Sequence, residues 1–167
     1  AGIPVTSDNA LSITGEGITG TVNYNANYNI LTLDNAQIES AKGIVWTGDG
    51  NLTIVLSGNN SINCGTGSNV GEGVCIQGNN SQGNLTFVKG SETEKCKLTL
   101  SSSQTPIFGF NNSNYVSSGL VYDLETSNNV YTATISSVMS GGTGTETDPY
   151  LMETPDDLKE FATYVGK

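Results

Sequence analysis

From Leu31 to Leu100 the apolar residues fall into short groups in which every second position is apolar, and the groups are separated by joints of Gly and Asn. A period of two puts alternate side chains on one face of a strand. Two kinds of group take turns along the chain. One kind is Gly43-Ile44-Val45-Trp46, Gly73-Val74-Cys75-Ile76 and Pro106-Ile107-Phe108-Gly109, with starts 30 and 33 residues apart. The other is Leu31-Thr32-Leu33, Leu52-Thr53-Ile54-Val55-Leu56, Leu85-Thr86-Phe87-Val88 and Leu98-Thr99-Leu100. Each group is too brief for a helix and is rich in residues that suit a pleated surface. Self-similarity at this period implies units that bury their apolar side chains on one another rather than in separate cores. The joints Asp34-Asn35, Gly58-Asn59-Asn60, Gly78-Asn79-Asn80 and Asn111-Asn112 tolerate positive φ at sharp corners, and stacked corners would let Asn side chains form ladders. The pattern predicts an all-β chain built as a right-handed parallel β-helix of about four or five short coils, with an irregular antiparallel sandwich as the alternative.

The flanks read differently. Between Ile3 and Leu33 the alternation predicts short strands entering a sheet, with Asn25-Ala26-Asn27 as a turn. Leu120–Leu124 and Val130–Ile135, joined by Ser127-Asn128-Asn129, predict a hairpin that covers the last rung as a terminal cap. Ser140 to Thr145 has the composition of a flexible linker. Beyond it Thr154 suits an N-cap, Pro155 the first helical position, and Leu158, Phe161, Ala162 and Val165 follow at helical spacing, which predicts one C-terminal amphipathic helix. The expected organisation is a β-domain with its hairpin over 1–139, a Gly/Thr linker over 140–147, and over 148–167 either a docked helix or the start of a following domain.

Composition narrows the functions. The 167 residues suit one domain, and 35% apolar content suits a thin core. Six lysines, no arginine and no histidine stand against 16 carboxylates, a formal net charge of −10. Phosphate would be repelled along most of such a surface, so nucleic acid is excluded as a partner, and anionic lipid and polyuronates are disfavoured. No apolar run approaches the ~20 residues that span a bilayer, so membrane insertion is not expected. Cys64, Cys75 and Cys96 have spacings that suit no zinc site. Cys75, within Val74-Cys75-Ile76, reads as a small buried hydrophobe, and a single disulfide among the three is compatible with the odd count.

Val5-Thr6-Ser7-Asp8-Asn9-Ala10, the run from Val22-Asn23-Tyr24-Asn25 to Leu31-Thr32-Leu33-Asp34-Asn35-Ala36, and Gly50-Asn51-Leu52-Thr53-Ile54 to Gly58-Asn59-Asn60-Ser61-Ile62 resemble a group of exported bacterial repeat proteins of gut anaerobes, generically labelled carbohydrate-binding-domain-containing. The resemblance covers roughly residues 1–110. Gly144-Thr145-Glu146-Thr147-Asp148-Pro149-Tyr150-Leu151 with Asp156-Asp157-Leu158 resembles the lead-in that opens a further repeat domain in many bacterial surface proteins. Together they imply export, an extracellular or cell-surface location in a bacterium, and further domains in the same chain. They imply no catalytic residue.

Polyuronate lyases, whose fold the pattern resembles, use Arg or Lys as a base, whereas the β-region here has only scattered Lys42, Lys89, Lys95 and Lys97. Glycosidases need carboxylates converging within roughly 5 to 9.5 Å, and Asp34, Asp49 and Asp123 fall on separate segments. No catalytic residue is assigned and no cofactor is expected. The oxygen-rich turn Thr47-Gly48-Asp49-Gly50-Asn51 is a weak candidate for calcium. Sugars are held by aromatic faces flanked by amides and carboxylates; the candidates are Tyr115, in the Asn-rich stretch with Asn112 and Asn114 and expected to be exposed, and Trp46, whose facing is open. The expected function is a non-enzymatic surface or secreted module that recognises a polysaccharide, host glycan or host macromolecule. A purely structural spacer and a glycan-cleaving β-helix enzyme are the alternatives.

Overall fold

The computed structural model describes residues 2–65, 72–78, 83–91, 94–138, 145–147, 149–153 and 155–165, apart from the side chains of 156, 160, 163 and 164. The linker over 140–144, the joint at Asn79-Asn80 and the N-cap at Thr154 lie outside the described residues. Among the described residues ten strands and one helix run in the order β1 (Ile18–Asn25), β2 (Ile30–Glu39), β3 (Ile44–Trp46), β4 (Leu52–Asn63), β5 (Ile76–Gly78), β6 (Leu85–Lys89), β7 (Cys96–Ser102), β8 (Ile107–Phe108), β9 (Leu120–Ser127), β10 (Val130–Ser137) and α1 (Pro155–Val165).

The chain alternates between two sheets. The larger has the order β1-β2-β4-β7-β10-β9, with β6 also paired to β4, and the smaller is β3-β5-β8. Pairing is parallel from β2 to β4, from β4 to β6 and β7, and throughout the smaller sheet. In β4 every second residue from Leu52 to Leu56 is buried, while Thr53, Val55 and Ser57 on the other face are half-buried. Parallel register then stacks like on like: Leu31, Ile54 and Phe87 form one column, Leu33 and Leu56 a second, and Ile38, Ile62 and Leu100 a third. These columns and Ile76 and Ile107 of the smaller sheet belong to one core cluster. Each fully buried Leu, Ile or Phe in it contributes ~1.5–3 kcal/mol over an exposed one.

A uniform β-helix of four or five coils is not what these sheets form. The larger sheet is mixed: β1 is antiparallel to β2 at one end, and β10 is antiparallel to both β7 and β9 at the other. Alternation in sequence specifies which face of a strand is buried but not the direction of its neighbour. Leu98-Thr99-Leu100 is no separate rung, because β6 pairs with the first half of the long strand β4 and β7 with its second half.

The spacing of Leu52-Thr53-Ile54 to Leu85-Thr86-Phe87 is the true register of β4 on β6, whereas the spacings from β2 to β4 and within the smaller sheet are displaced from it by two residues. Ile44 lies opposite Ile76, not Val74; Ile76 lies opposite Ile107; and Leu31 lies opposite Ile54, not Leu52. A slip of two leaves each side chain on the same face, so hydrophobic pattern alone does not detect it.

The hairpin is present, with Asn128 and Asn129 at φ 51° and 61° in its turn, the geometry that a two-residue connection demands. The expected strands around Ile3–Val5 and Leu11–Ile13 are not formed. That segment is a turn-rich arm held by Ile13 N–H to Val22 O at 2.8 Å and Tyr24 N–H to Ala10 O at 2.6 Å, with Ile13 buried and Leu11 exposed. The helix is present, but its apolar stripe is not what anchors it: Leu158 and Val165 are each 60% exposed. Among the described side chains of α1 the buried one is Asp157, which accepts Glu153 N–H at 2.8 Å and pairs with Lys95 Nζ at 2.5 Å. An ionised carboxylate can be buried there because it is paired with a charge and hydrogen-bonded.

The Asn-rich joints are corners, but their side chains mostly reach the backbone of a neighbouring segment rather than one another. Asn51 Oδ1 accepts Asn84 N–H at 2.9 Å and Asn35 Oδ1 accepts Asn59 N–H at 3.1 Å. Gly58, at φ 62°, has no room for a Cβ against the Asn35 amide, which explains glycine at that corner.

Candidate binding cleft

Trp46 ends β3, and the chain turns back through Thr47–Asn51 into β4. Gly48 lets the backbone pass close under the indole, since a Cβ there would strike the six-membered ring. Gly50 takes φ 95° and turns its carbonyl to accept the indole N–H at 3.2 Å. The half-buried indole meets Tyr24 of β1 edge to face, with centroids 6.0 Å apart and planes at 61°. The Tyr24 hydroxyl donates to Asn29 Oδ1 at 2.9 Å, and Asn29 itself sits at φ 53° where the turn enters β2. Aromatic rings and oxygens are thus fixed together by β1, β2 and β3.

A cleft of about 780 Å³ opens beside them, lined by Tyr24, Asn29, Trp46, Thr47, Gly48 and Asp49 on one side and by the arm Gly2–Val5 on the other. A second cavity of about 460 Å³ adjoins it, sharing Ile3, Val5, Leu31, Ile44 and Val45 and lined further by Glu16, Glu39, Lys42 and Glu72. The arm is exposed at Ile3 and Val5.

The sequence candidates are divided between places. Trp46 is in the cleft. Tyr115 is not, and it is half-buried rather than exposed: its ring meets Tyr122 of β9 at 5.8 Å and 71°, and its carbonyl accepts Phe87 N–H at 2.7 Å. Burial raises the Tyr115 phenol above its ordinary range, and raises that of Tyr122 too. Asn112 uses its side chain on backbone, accepting Leu85 N–H at 2.9 Å and donating to Leu85 O at 2.7 Å and Asn114 O at 2.6 Å. Its amide ties this stretch to the start of β6. Asn114 is exposed and accepts Val116 N–H at 3.3 Å. Tyr24 and Asn29 were missed as site residues, because nothing local in the sequence tells that β1 brings Tyr24 against Trp46. Asp49, in the oxygen-rich turn after Trp46, lines the cleft. Among the described residues there is no group of three or more metal-ligating side chains, and no helix is long and apolar enough to cross a membrane.

The cysteines lie within the core, and Cys96 at the start of β7 is 4% exposed. Burial pushes its thiol from 9.0 up to about 11, with Lys89 opposing. Between those values the unfolded chain has released a proton that the folded chain still holds, so stability falls as pH rises through this window and is fully present below it. The urea midpoint is expected to drop between pH 9 and 11, and Cys96→Ala to flatten part of that drop. Equal slopes in the two proteins would show that the Cys96 thiol is not held neutral by the fold. Comparison with protein-family models, with curated proteins and with solved structures finds no match to this chain.

Proposed function

We propose that the chain is a non-enzymatic recognition module of an exported or surface-displayed bacterial protein, and that it binds a neutral polysaccharide or host glycan in the cleft at Trp46. The observation that carries this reading is the joining of two aromatic rings, Trp46 and Tyr24, with the side-chain oxygens of Asn29, Thr47 and Asp49 in a cleft of about 780 Å³. A sugar offers an apolar ring face and a rim of hydroxyls, which is the complement of such a lining. The formal net charge of −10 favours a neutral glycan over an acidic one. The resemblance to exported repeat proteins supports the same location and class. With it goes a reading of the parallel centre: the alternating visits to the two sheets are about three turns of a right-handed parallel β-helix, closed at both ends by antiparallel strands.

A glycan array of the purified protein, run with calcium and with a chelator, tests the proposal. Retained binding to one class of neutral glycan is expected, weakened at least roughly tenfold by Trp46→Ala, as for an aromatic anchor. Loss of binding on chelation would bring in the Thr47–Asn51 turn as a calcium site. A blank array from folded protein would overturn the reading in favour of a structural spacer. Glu16, Glu39 and Glu72 line the adjoining cavity, and they are the specific observation behind a second reading, glycan cleavage. Loss of arrayed glycan that Glu-to-Gln changes abolish would favour it.

A further inference from the structure

We propose that Cys64 and Cys75 form a disulfide in the oxidised protein, a cross-link between the end of β4 and the start of β5. In this structure all three cysteines are buried free thiols. Two of them converge on one carbonyl: Cys64 N–H donates to Ser101 O at 2.9 Å, and the Cys75 thiol donates to the same oxygen at 3.3 Å. The Cys75 thiol also reaches Ile62 O, two residues before Cys64, at 3.4 Å. Backbone bonds hold Cys75 in place from both sides, its N–H on Pro106 O at 3.0 Å and its carbonyl accepting Ile44 N–H at 2.8 Å. Cys96 is held elsewhere, with its N–H on Ser137 Oγ at 3.1 Å. The pairing is therefore specific.

The oxidant is a small-molecule disulfide such as oxidised glutathione. The Cys64 thiolate attacks one of its sulfurs, expels one small thiolate and carries the other half as a mixed disulfide. Cys75 then loses its proton to solvent, attacks Cys64 Sγ and expels the second small thiol. Two protein thiols become one bond while the small disulfide becomes two thiols. The same two steps begun from Cys75 give the same bond. Both sulfurs are buried, so the exchange runs while the chain folds. This inference uses no residue of the cleft and stands apart from the glycan reading.

The test is refolding from urea in a mixture of reduced and oxidised glutathione, followed by alkylation, intact mass and peptide mapping, with Cys96→Ala as a second chain. The expected product is lighter by two hydrogens, alkylates only at Cys96, yields a linked Cys64–Cys75 peptide, and melts roughly 5–10 °C above the reduced form. Cys96→Ala gives the same bridge. Because the fold brings the pair together, the ratio of bridged to open protein at a fixed glutathione ratio is at least roughly tenfold higher in buffer than in urea. Three alkylated cysteines after refolding, a bridge to Cys96, or a ratio no higher in buffer than in urea would overturn the proposal.

Discussion

Ile54→Asp is expected to abolish the folded state. Ile54 is fully buried in the middle of β4, with Leu31 opposite it on β2 and Phe87 opposite it on β6, both in the core. An Asp side chain there has no charged partner in that apolar column. It must either ionise in a low-dielectric interior or fold protonated, with its hydroxyl and carbonyl unsatisfied. The apolar contacts of the Ile are lost as well. Together these exceed about 4–5 kcal/mol, a large share of the ~5–15 kcal/mol that holds a typical domain. Circular dichroism of Ile54→Asp should show no cooperative melt. Thr53→Asp, one residue away on the half-buried outer face, should melt within a few degrees of the parent. If Ile54→Asp melted like the parent, the parallel register of β2, β4 and β6 would be wrong.

Asn60→Ala is expected to cost about 2–4 kcal/mol, unusual for an amide in a polar joint. The register of β2 on β4 shifts between Asp34 and Gln37, which leaves the buried Ala36 N–H without a strand partner. Asn60, only 3% exposed, supplies it: Oδ1 accepts that N–H at 2.8 Å, while Nδ2 donates to Ser57 O at 3.0 Å and to Lys97 O at 3.3 Å. One side chain thus satisfies β2, β4 and the neighbouring β7 at the irregularity. Alanine leaves all three groups to be satisfied where water has poor access. The melting temperature should fall by roughly 5–15 °C. Asn59→Ala, next in sequence and exposed, should change it little. Equal effects of the two changes would mean that Asn60 does not bridge the strands.

These residues also show what was legible in the chain. Strands, corners, the hairpin and the helix were readable because each is specified locally: period-two alternation, Asn128-Asn129 in a tight turn, Pro155 opening a helix. Register was readable from β4 to β6 but not from β2 to β4 or in the smaller sheet, since a slip of two residues preserves every facing, and the antiparallel pairing of β10 with β7 was not readable either. Asn-rich corners were readable as corners, but whether an amide meets another amide or a backbone group depends on how neighbouring strands stack, which no single segment encodes. The site followed the same division. Trp46 could be named from its residue type, yet its facing depends on Tyr24, some twenty residues earlier, and on the turn through Gly50. Tyr115 was expected to be exposed because its neighbours are polar; Tyr122, from a strand not yet formed at that point in the chain, covers it.

The cleft can be tested through a probe that the protein already carries. Trp46 is the only tryptophan, so intrinsic tryptophan fluorescence reports on the proposed binding surface alone. Titration with a soluble oligosaccharide of the class retained on the array should give a saturable change in intensity with a shift of the emission maximum, and Tyr24→Ala should weaken it by roughly tenfold or more. Binding that saturates by calorimetry while the Trp46 emission stays unchanged would place the ligand elsewhere and contradict the assignment of this cleft.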